Sequence, residues 1–333
     1  MSLVDLVAAL MFVGVIAYGI FGGADYGSGI WDLVAGRSPH ASALRTQIDH
    51  SIGPVWEANH VWLIYILVFM WTAFPTGFSA LVTTMWVPWM FVGLGIVLRG
   101  SGFAFRKYSE TLSMARIFGA IFALSSLITP FFLGMIAGGV VNGRVALDAS
   151  SSVSAWTGPS SWVGGILSTS TSAFLAASFL ADDARRSKNI DLARYCGRRT
   201  VVSGIFTGVI ALAAVPLLRN DAEVLTNRLQ GRALPLAILS AIAGGSAIVL
   251  TLRGRYGIAR IGSTVAVGTV LLGWGIAQWP DFLIGTATLE DVAGARSTLV
   301  GLVIVFCIAA VTAVPALVWL FYLVNRRNES LQH

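Results

Sequence analysis

Apolar residues gather in nine blocks of about 20, each long enough to cross the roughly 30 Å hydrocarbon layer of a bilayer as an α-helix. They fall near residues 3–23, 52–74, 78–99, 114–141, 160–181, 200–218, 233–252, 258–279 and 298–324. A helix pairs its own backbone polar groups, which hydrocarbon demands. The pattern therefore predicts an all-α integral membrane protein with about nine transmembrane helices in one polytopic domain, 1–333. Pro54 suits a first helical turn, where a missing N–H costs nothing. Pro88, Pro130 and Pro315 lie inside blocks and predict kinks that neighbouring helices tolerate. The 36 glycines permit close helix approach.

The second block departs from the pattern. It opens with Gly53-Pro54-Val55-Trp56-Glu57-Ala58-Asn59-His60-Val61-Trp62-Leu63 before running apolar to Phe74. Polar side chains in hydrocarbon cost several kcal/mol unless they find partners, so Glu57, Asn59 and His60 are functional candidates. Glu57 and His60 are three residues apart and share a helix face. Seven residues beyond Glu57 stands Ile64, so the polar stripe ends after about one turn.

Composition agrees with lipid as the solvent. The chain is 56% hydrophobic and 11% charged, against about 25% charged in soluble domains, and its mean hydropathy is +0.78. The net charge of +6 is not a nucleic-acid signal, because no basic run is interleaved with aromatics. It reflects loop asymmetry. Seventeen of the 22 Lys and Arg residues fall in the odd-numbered loops and the C-terminal tail. The positive-inside rule then sets the N-terminus outside and the C-terminus in the cytoplasm. The first block lacks a basic n-region and is long enough to span, so it reads as a retained helix. Cys196 and Cys307 form no CxxC pair, which leaves zinc, iron–sulfur and disulfide readings without support. Walker, HExxH, GxSxG and CxxCH motifs are absent. No catalytic residue and no metal site is expected in this chain.

On this topology helix one leaves the bilayer at Gly22–Gly27, helix two enters near Pro54 and helix three exits at Arg99. Asp25, Glu57, His60 and Arg99 thus gather at the cytoplasmic boundary as candidates for a proton route. Each has a plainer reading. Glu57 can interact with a helix N-terminus or exchange protons as a partly buried carboxylate. Asp25 can shape a Gly-rich turn or act beside Glu57. Arg99 can anchor the inner interface or neutralise Asp25 or Glu57. His60 can hydrogen-bond a neighbour; as a haem ligand it would have no second intramembrane histidine. Trp56, Asn59 and Trp62 are packing or interface candidates beside the polar turn. Most other tryptophans lie near span ends, as an interfacial belt requires.

Several segments resemble one family. Gly23-Ala24-Asp25-Tyr26-Gly27-Ser28-Gly29 is similar to its D-G-F-D-x-G-x-G segment. Ile52 to Leu63, with Phe74-Pro75 behind it, resembles I-G-P-V-W-D-G-N-E-V-W-L…A-F-P. Leu98-Arg99, Gly102-Phe103 and Arg106 resemble F-R…G-F-x-x-R. Thr288-Leu289-Glu290-Asp291-Val292-Ala293, Thr298-Leu299 and Val314-Pro315 resemble T-x-x-D-A…T-L…V-P. By these segments the chain resembles subunit II of the cytochrome bd quinol oxidases. Glu57 stands where the family usually has Asp, His60 where many members have Glu, and Ala104 where some carry an acid. Gly22 or Gly23 replaces the first Asp of the D-G-F-D segment.

The resemblance implies nine membrane helices in two four-helix bundles plus a peripheral helix. It implies a heterodimer with subunit I, which carries haems b and d and the quinol site. The complex oxidises quinol and reduces O2 to water with protons drawn from the cytoplasm, in a bacterial inner membrane. This chain binds no haem alone and supports assembly and proton uptake, with Asp25, Trp56, Glu57 and Arg99 at matching positions. A quinone or lipid bound in this subunit is compatible with the resemblance; nucleic acid is not expected. Two other classes stand beside it: a proton-coupled secondary transporter, which needs broken helices and a midplane site, and a purely structural membrane partner.

The charge bias yields a topological test. In a background lacking Cys196 and Cys307, Leu147→Cys should react with a membrane-impermeant thiol reagent in intact cells. Lys188→Cys should react only after the cells are opened. The reverse pattern would invert the assigned orientation.

Overall fold

The computed structural model describes residues 2–36, 38–52, 56–109, 111–148 and 153–330. In chain order the elements are α1 (Leu3–Ala35), α2 (Ala41–Ile52), α3 (Trp56–Ala73), α4 (Pro75–Thr84), α5 (Trp86–Lys107), α6 (Leu112–Gly139) and α7 (Ser154–Thr157). There follow α8 (Pro159–Arg186), α9 (Ile190–Asp221), α10 (Glu223–Gln230), α11 (Leu234–Leu252) and α12 (Tyr256–Gln278). A small antiparallel ribbon of β1 (Asp281–Leu283) and β2 (Ala287–Thr288) precedes α13 (Arg296–Ser330). The apolar blocks lie on helical segments, although block and helix ends differ and the third block is shared between α4 and α5. Among the described residues, seven helices are long and apolar enough to span a bilayer alone, or up to eight if the bent pair formed by α3 and α4 counts as one. Within α13 the stretch Arg296–Thr312 is apolar.

Three expectations need correction. The third block does not run over 78–99 as one span. Pro75 disfavours helical geometry at Phe74, so α3 stops at Ala73 and α4 departs at an angle of 117°. The next span is α5, shifted towards the C-terminus and ending at Lys107, so Arg99 is not at a helix exit. Likewise α1 does not end in a glycine turn around Asp25. It continues unbroken for 33 residues to Ala35, about 50 Å. Both helices outlast their hydropathy because the charges beyond the apolar run are paired with one another. The first loop also contains an unforeseen helix, α2, whose buried Ala41, Leu44 and Ile48 pack with Leu180, Ala184 and Leu192.

The packing centres on α1 and α8. Helix α1 contacts α3, α6, α8 and α12, while α8 contacts α6, α9 and α12. The layout approximates two four-helix groups (α1, α3, α5 and α6; α8, α9, α11 and α12) with α13 against α1 and α3. At the Phe74 end, Phe74, Phe282, Leu283, Leu289 and Val292 share one core. Gly294 N donates to the Ala73 carbonyl at 2.7 Å, tying the segment after the ribbon to the end of α3. The T-x-x-D segment is a local clasp. Asp291 accepts from the Thr288 hydroxyl at 2.6 Å and from its N–H at 2.8 Å, and these bonds hold the carboxyl below its ordinary range.

The α1–α8 approach depends on Gly27. A Cβ there would collide with the Ser172 backbone carbonyl, and a backbone atom cannot swing aside. Gly93 in α5, by contrast, has open space around its Cβ direction. Gly27→Ala should therefore lower the melting temperature and yield of the complex. Gly93→Ala should be neutral or stabilising by up to about 1 kcal/mol through helix propensity. Equal effects in a thermal melt would show that the α1–α8 contact is not limiting.

Candidate functional site

Residues Gly22 to Ile30 of α1 are all buried, so one continuous stretch of this helix touches protein on every side. Asp25 lies about 33 Å along α1 from Leu3, near one face of the bilayer if Leu3 is at the other. Its side chain meets Arg99 of α5. The guanidinium Nη2 donates to Asp25 Oδ1 at 2.5 Å and to the Asp25 carbonyl at 3.1 Å. The other terminal nitrogen, Nη1, donates to Ser126 Oγ of α6. The Tyr26 and Phe122 rings each lie 4.7 Å from the guanidinium carbon. Arg99 is 1% exposed and Asp25 3%. A charge so deeply withdrawn from water is tolerable only when paired and hydrogen-bonded. Three helices are tied together at this one group.

A second rung repeats the first. Seven residues on in both helices, Arg106 Nη1 donates to Asp32 Oδ2 at 2.7 Å. Arg106 also pairs with Asp49 of α2, and its guanidinium carbon lies 5.1 Å from the Phe122 ring. Asp32 takes a second partner, Arg45 of α2, at 2.6 Å. Residues seven apart return to the same helix face after two turns. The result is a ladder along parallel faces of α1 and α5, with Phe122 lying between the two arginines.

The structure brings together some of the sequence-predicted residues and leaves out others. Asp25 and Arg99 are joined directly. Asn59 is buried and directs its amide to the Phe21 carbonyl at 3.5 Å, one turn before Asp25. His60 packs edge-on to Tyr26, with ring centroids 6.4 Å apart. Tyr26 in turn meets Tyr18, oxygen to oxygen at 2.9 Å. Trp62 packs with Tyr18, Tyr26 and Leu63. Glu57 does not join them. Its side chain is exposed, although it is three residues from His60. Residues 53–55 and the Trp56 side chain lie outside the described residues. Asp25 Oδ2 is buried and is not reached by Arg99; its polar neighbour is the Asn59 amide, beyond normal hydrogen-bond distance.

The family model for cytochrome bd terminal oxidase subunit II matches residues 3–324. The chain belongs to that family. A relative from Bacillus subtilis, cytochrome bd ubiquinol oxidase subunit 2, is 25% identical over 98% of this chain and 97% of its own length. Cytochrome bd-I ubiquinol oxidase subunit 2 of Escherichia coli is 26% identical over 40% of this chain and 35% of its own. The bd oxidase structure from Geobacillus thermodenitrificans shares the fold, with a TM-score of 0.75, 21% identity and coverage of 97% and 98%. This subunit II is therefore a multi-pass membrane component of a quinol:oxygen oxidoreductase and works with a partner subunit.

The family implies haems, so its donor groups bear on where they sit. An axial ligand needs an imidazole, thiolate or thioether facing room for a macrocycle. His60 faces the Tyr26 ring, and the apolar groove between α1, α6, α8 and α9 has no His, Met or Cys in its wall. Among the described residues no group of three His, Cys, Asp or Glu is placed to hold a metal ion. Neither His60 nor this groove offers an axial ligand facing room for a haem.

Sequence reasoning missed Tyr18, Ser126, Phe122, Asp32, Arg45 and Asp49 as members of the site. One signal was available, the shared spacing of seven between Asp25 and Asp32 and between Arg99 and Arg106. The ladder sets an order of severity. Arg99→Met strands the Asp25 charge and should destabilise the complex on the scale of a broken buried pair, about 3–5 kcal/mol. Arg106→Met should cost less, because Asp32 keeps Arg45. Thermal melts of the purified complexes check the ranking, and a larger loss from Arg106→Met would overturn it.

Proposed function

We propose that this subunit supports the assembly of a haem-bearing subunit I and takes part in proton uptake from the cytoplasm. The complex would oxidise quinol and reduce O2 to water, with haems b and d in subunit I. The observation that carries the reading is the buried Asp25 carboxylate, whose second oxygen is not engaged by Arg99. It lies where α1, α3, α5 and α6 converge, with two tyrosine hydroxyls in hydrogen-bond contact nearby. Further along α1 and α5, beyond the Phe122 ring, Asp32 and Arg106 continue the polar face to Asp49, which is half exposed. Carboxylates and hydroxyls set in order are the usual elements of a proton relay.

The exposed face of α3 supports the partner role. Glu57, Val61, Ile64, Val68 and Trp71 recur at intervals of three and four and are all exposed. A carboxylate on an otherwise apolar stripe is costly against acyl chains and less so against a subunit that offers a donor. The loop charges support an outside N-terminus and a bacterial inner membrane as the site of action. The transporter alternative is less well served. The helix break at Phe74 lies at the end of α3 opposite Glu57, not beside it.

One observation favours a second reading. Arg99 already neutralises Asp25, so the cluster could act purely as a clamp that shapes the docking face. Oxygen consumption with quinol, measured against pH in the intact complex, separates the two. Under the proton reading, Asp25→Asn lowers turnover per haem severalfold and alters the pH profile of the complexes that assemble, and Glu57→Gln does the same if the outward carboxylate feeds the route. If both variants keep the wild-type rate and profile, the proton role is wrong. A loss of haem content with an unaltered profile leaves the clamp.

A further inference from the structure

A second feature lies apart from the buried ladder. Between α1, α6, α8 and α9 runs an open-sided groove of about 340 Å³, walled by Ile30, Trp31, Phe131, Ile166, Val202 and Phe206. Its volume is at the low end of the about 300–1,000 Å³ usual for ligand sites, and its wall is nearly all hydrocarbon. That suits one flexible apolar chain.

Beside the groove stands a cation. Arg199 precedes Val202 and Phe206 on α9 by three and seven residues, so it lies on the same helix face. Its guanidinium carbon is 3.7 Å from the centroid of the Tyr195 ring and 5.1 Å from that of Trp31, a groove residue. Both rings are themselves held. The Trp31 indole N–H donates to the Ala173 carbonyl at 2.7 Å, and Tyr195 stacks on His40 at 4.5 Å. Arg45, Arg99, Arg106, Arg185, Arg186 and Arg260 each pair with an aspartate. Arg199 has no such carboxylate partner among the described residues, and its Nε is buried without a hydrogen bond. Arg198 beside it is exposed. A guanidinium held over two rings without a carboxylate partner is arranged to receive an anion.

We propose that this groove and Arg199 form a binding site for one anionic phospholipid, its phosphate on the guanidinium and one acyl chain along the groove. The charge argument decides the head group. A quinone ring supplies carbonyls and no charge, and a zwitterionic lipid brings its own cation towards Arg198 and Arg199. Basic pockets at helix boundaries select anionic lipids on the same grounds.

The test uses the purified complex, delipidated and then exposed to mixed vesicles of phosphatidylglycerol and phosphatidylcholine, with retained lipid counted by native mass spectrometry. Wild type should retain one phosphatidylglycerol that Arg199→Gln does not, an enrichment of about fivefold for one surface cation. Val202→Trp, which fills the groove and keeps the charge, should lose the same lipid. Arg253→Gln, a change at an exposed arginine elsewhere, should keep it. The proposal is overturned by any of three results: no preference in wild type, a preference that survives Arg199→Gln or Val202→Trp, or an isoprenoid quinone in place of the lipid. If Arg199→Gln does not assemble, the wild-type ratio and the Val202→Trp complex decide alone.

Discussion

A charged pair removed from both water and lipid sets the terms for the rest of this subunit. Asp25 and Arg99 are almost wholly buried at the meeting of α1, α5 and α6. Neither charge is affordable alone in that setting, and together they are stable only with good geometry and further hydrogen bonds. Asp25 meets Arg99 twice, through its carboxylate and its backbone carbonyl, and Ser126 takes the opposite nitrogen. The pair is thus directional. It fixes the rotation of α5 about its own axis as well as its distance from α1, which apolar packing among similar side chains does not do.

The glycines of α1 follow from the same constraint. The helix must present Asp25 and Asp32 to α5 and α2 while its other face lies against α8. Gly27 allows that second contact to reach backbone distance, and Trp31, one turn on, hydrogen-bonds to an α8 carbonyl. A segment that reads as a turn motif is a helix with two buried faces, one ionic and one of small residues. The site inherits that rigidity: Tyr26, Tyr18 and Asn59 lie around a carboxylate whose position is set by Arg99, and His60 packs behind Tyr26.

Much of the fold was legible in the sequence, and particular residues show why the rest was not. The apolar blocks located the long membrane helices because hydrocarbon thickness imposes a length that hydropathy reports directly, while their number came out as seven or eight spans among the described residues. Their ends were misplaced wherever charges pair. Asp32 and Arg106 look like loop residues to a hydropathy window, yet each cancels the other and the helices run on past them. The Phe74-Pro75 break was visible as residues but not as a 117° turn, because the restriction at the residue before proline fixes a break and not a direction. In the site, Asp25 and Arg99 were chosen as boundary charges and proved to be direct partners. Glu57 was grouped with them by topology alone, and the helix turns it outward. Tyr18 and Ser126 carried no signal, since a tyrosine or serine within an apolar helix is common and only the neighbouring helix gives it a partner.

The central claim is that Asp25 and Arg99 act as one unit. A double-mutant cycle in the purified complex tests it most directly, with Asp25→Leu, Arg99→Met and the double variant compared by thermal unfolding. If the account is right, the double variant is more stable than the sum of the single losses allows, by a coupling of about 3 kcal/mol or more, since removing both charges leaves none stranded. Strictly additive losses would contradict it, because they would mean that neither charge depends on the other.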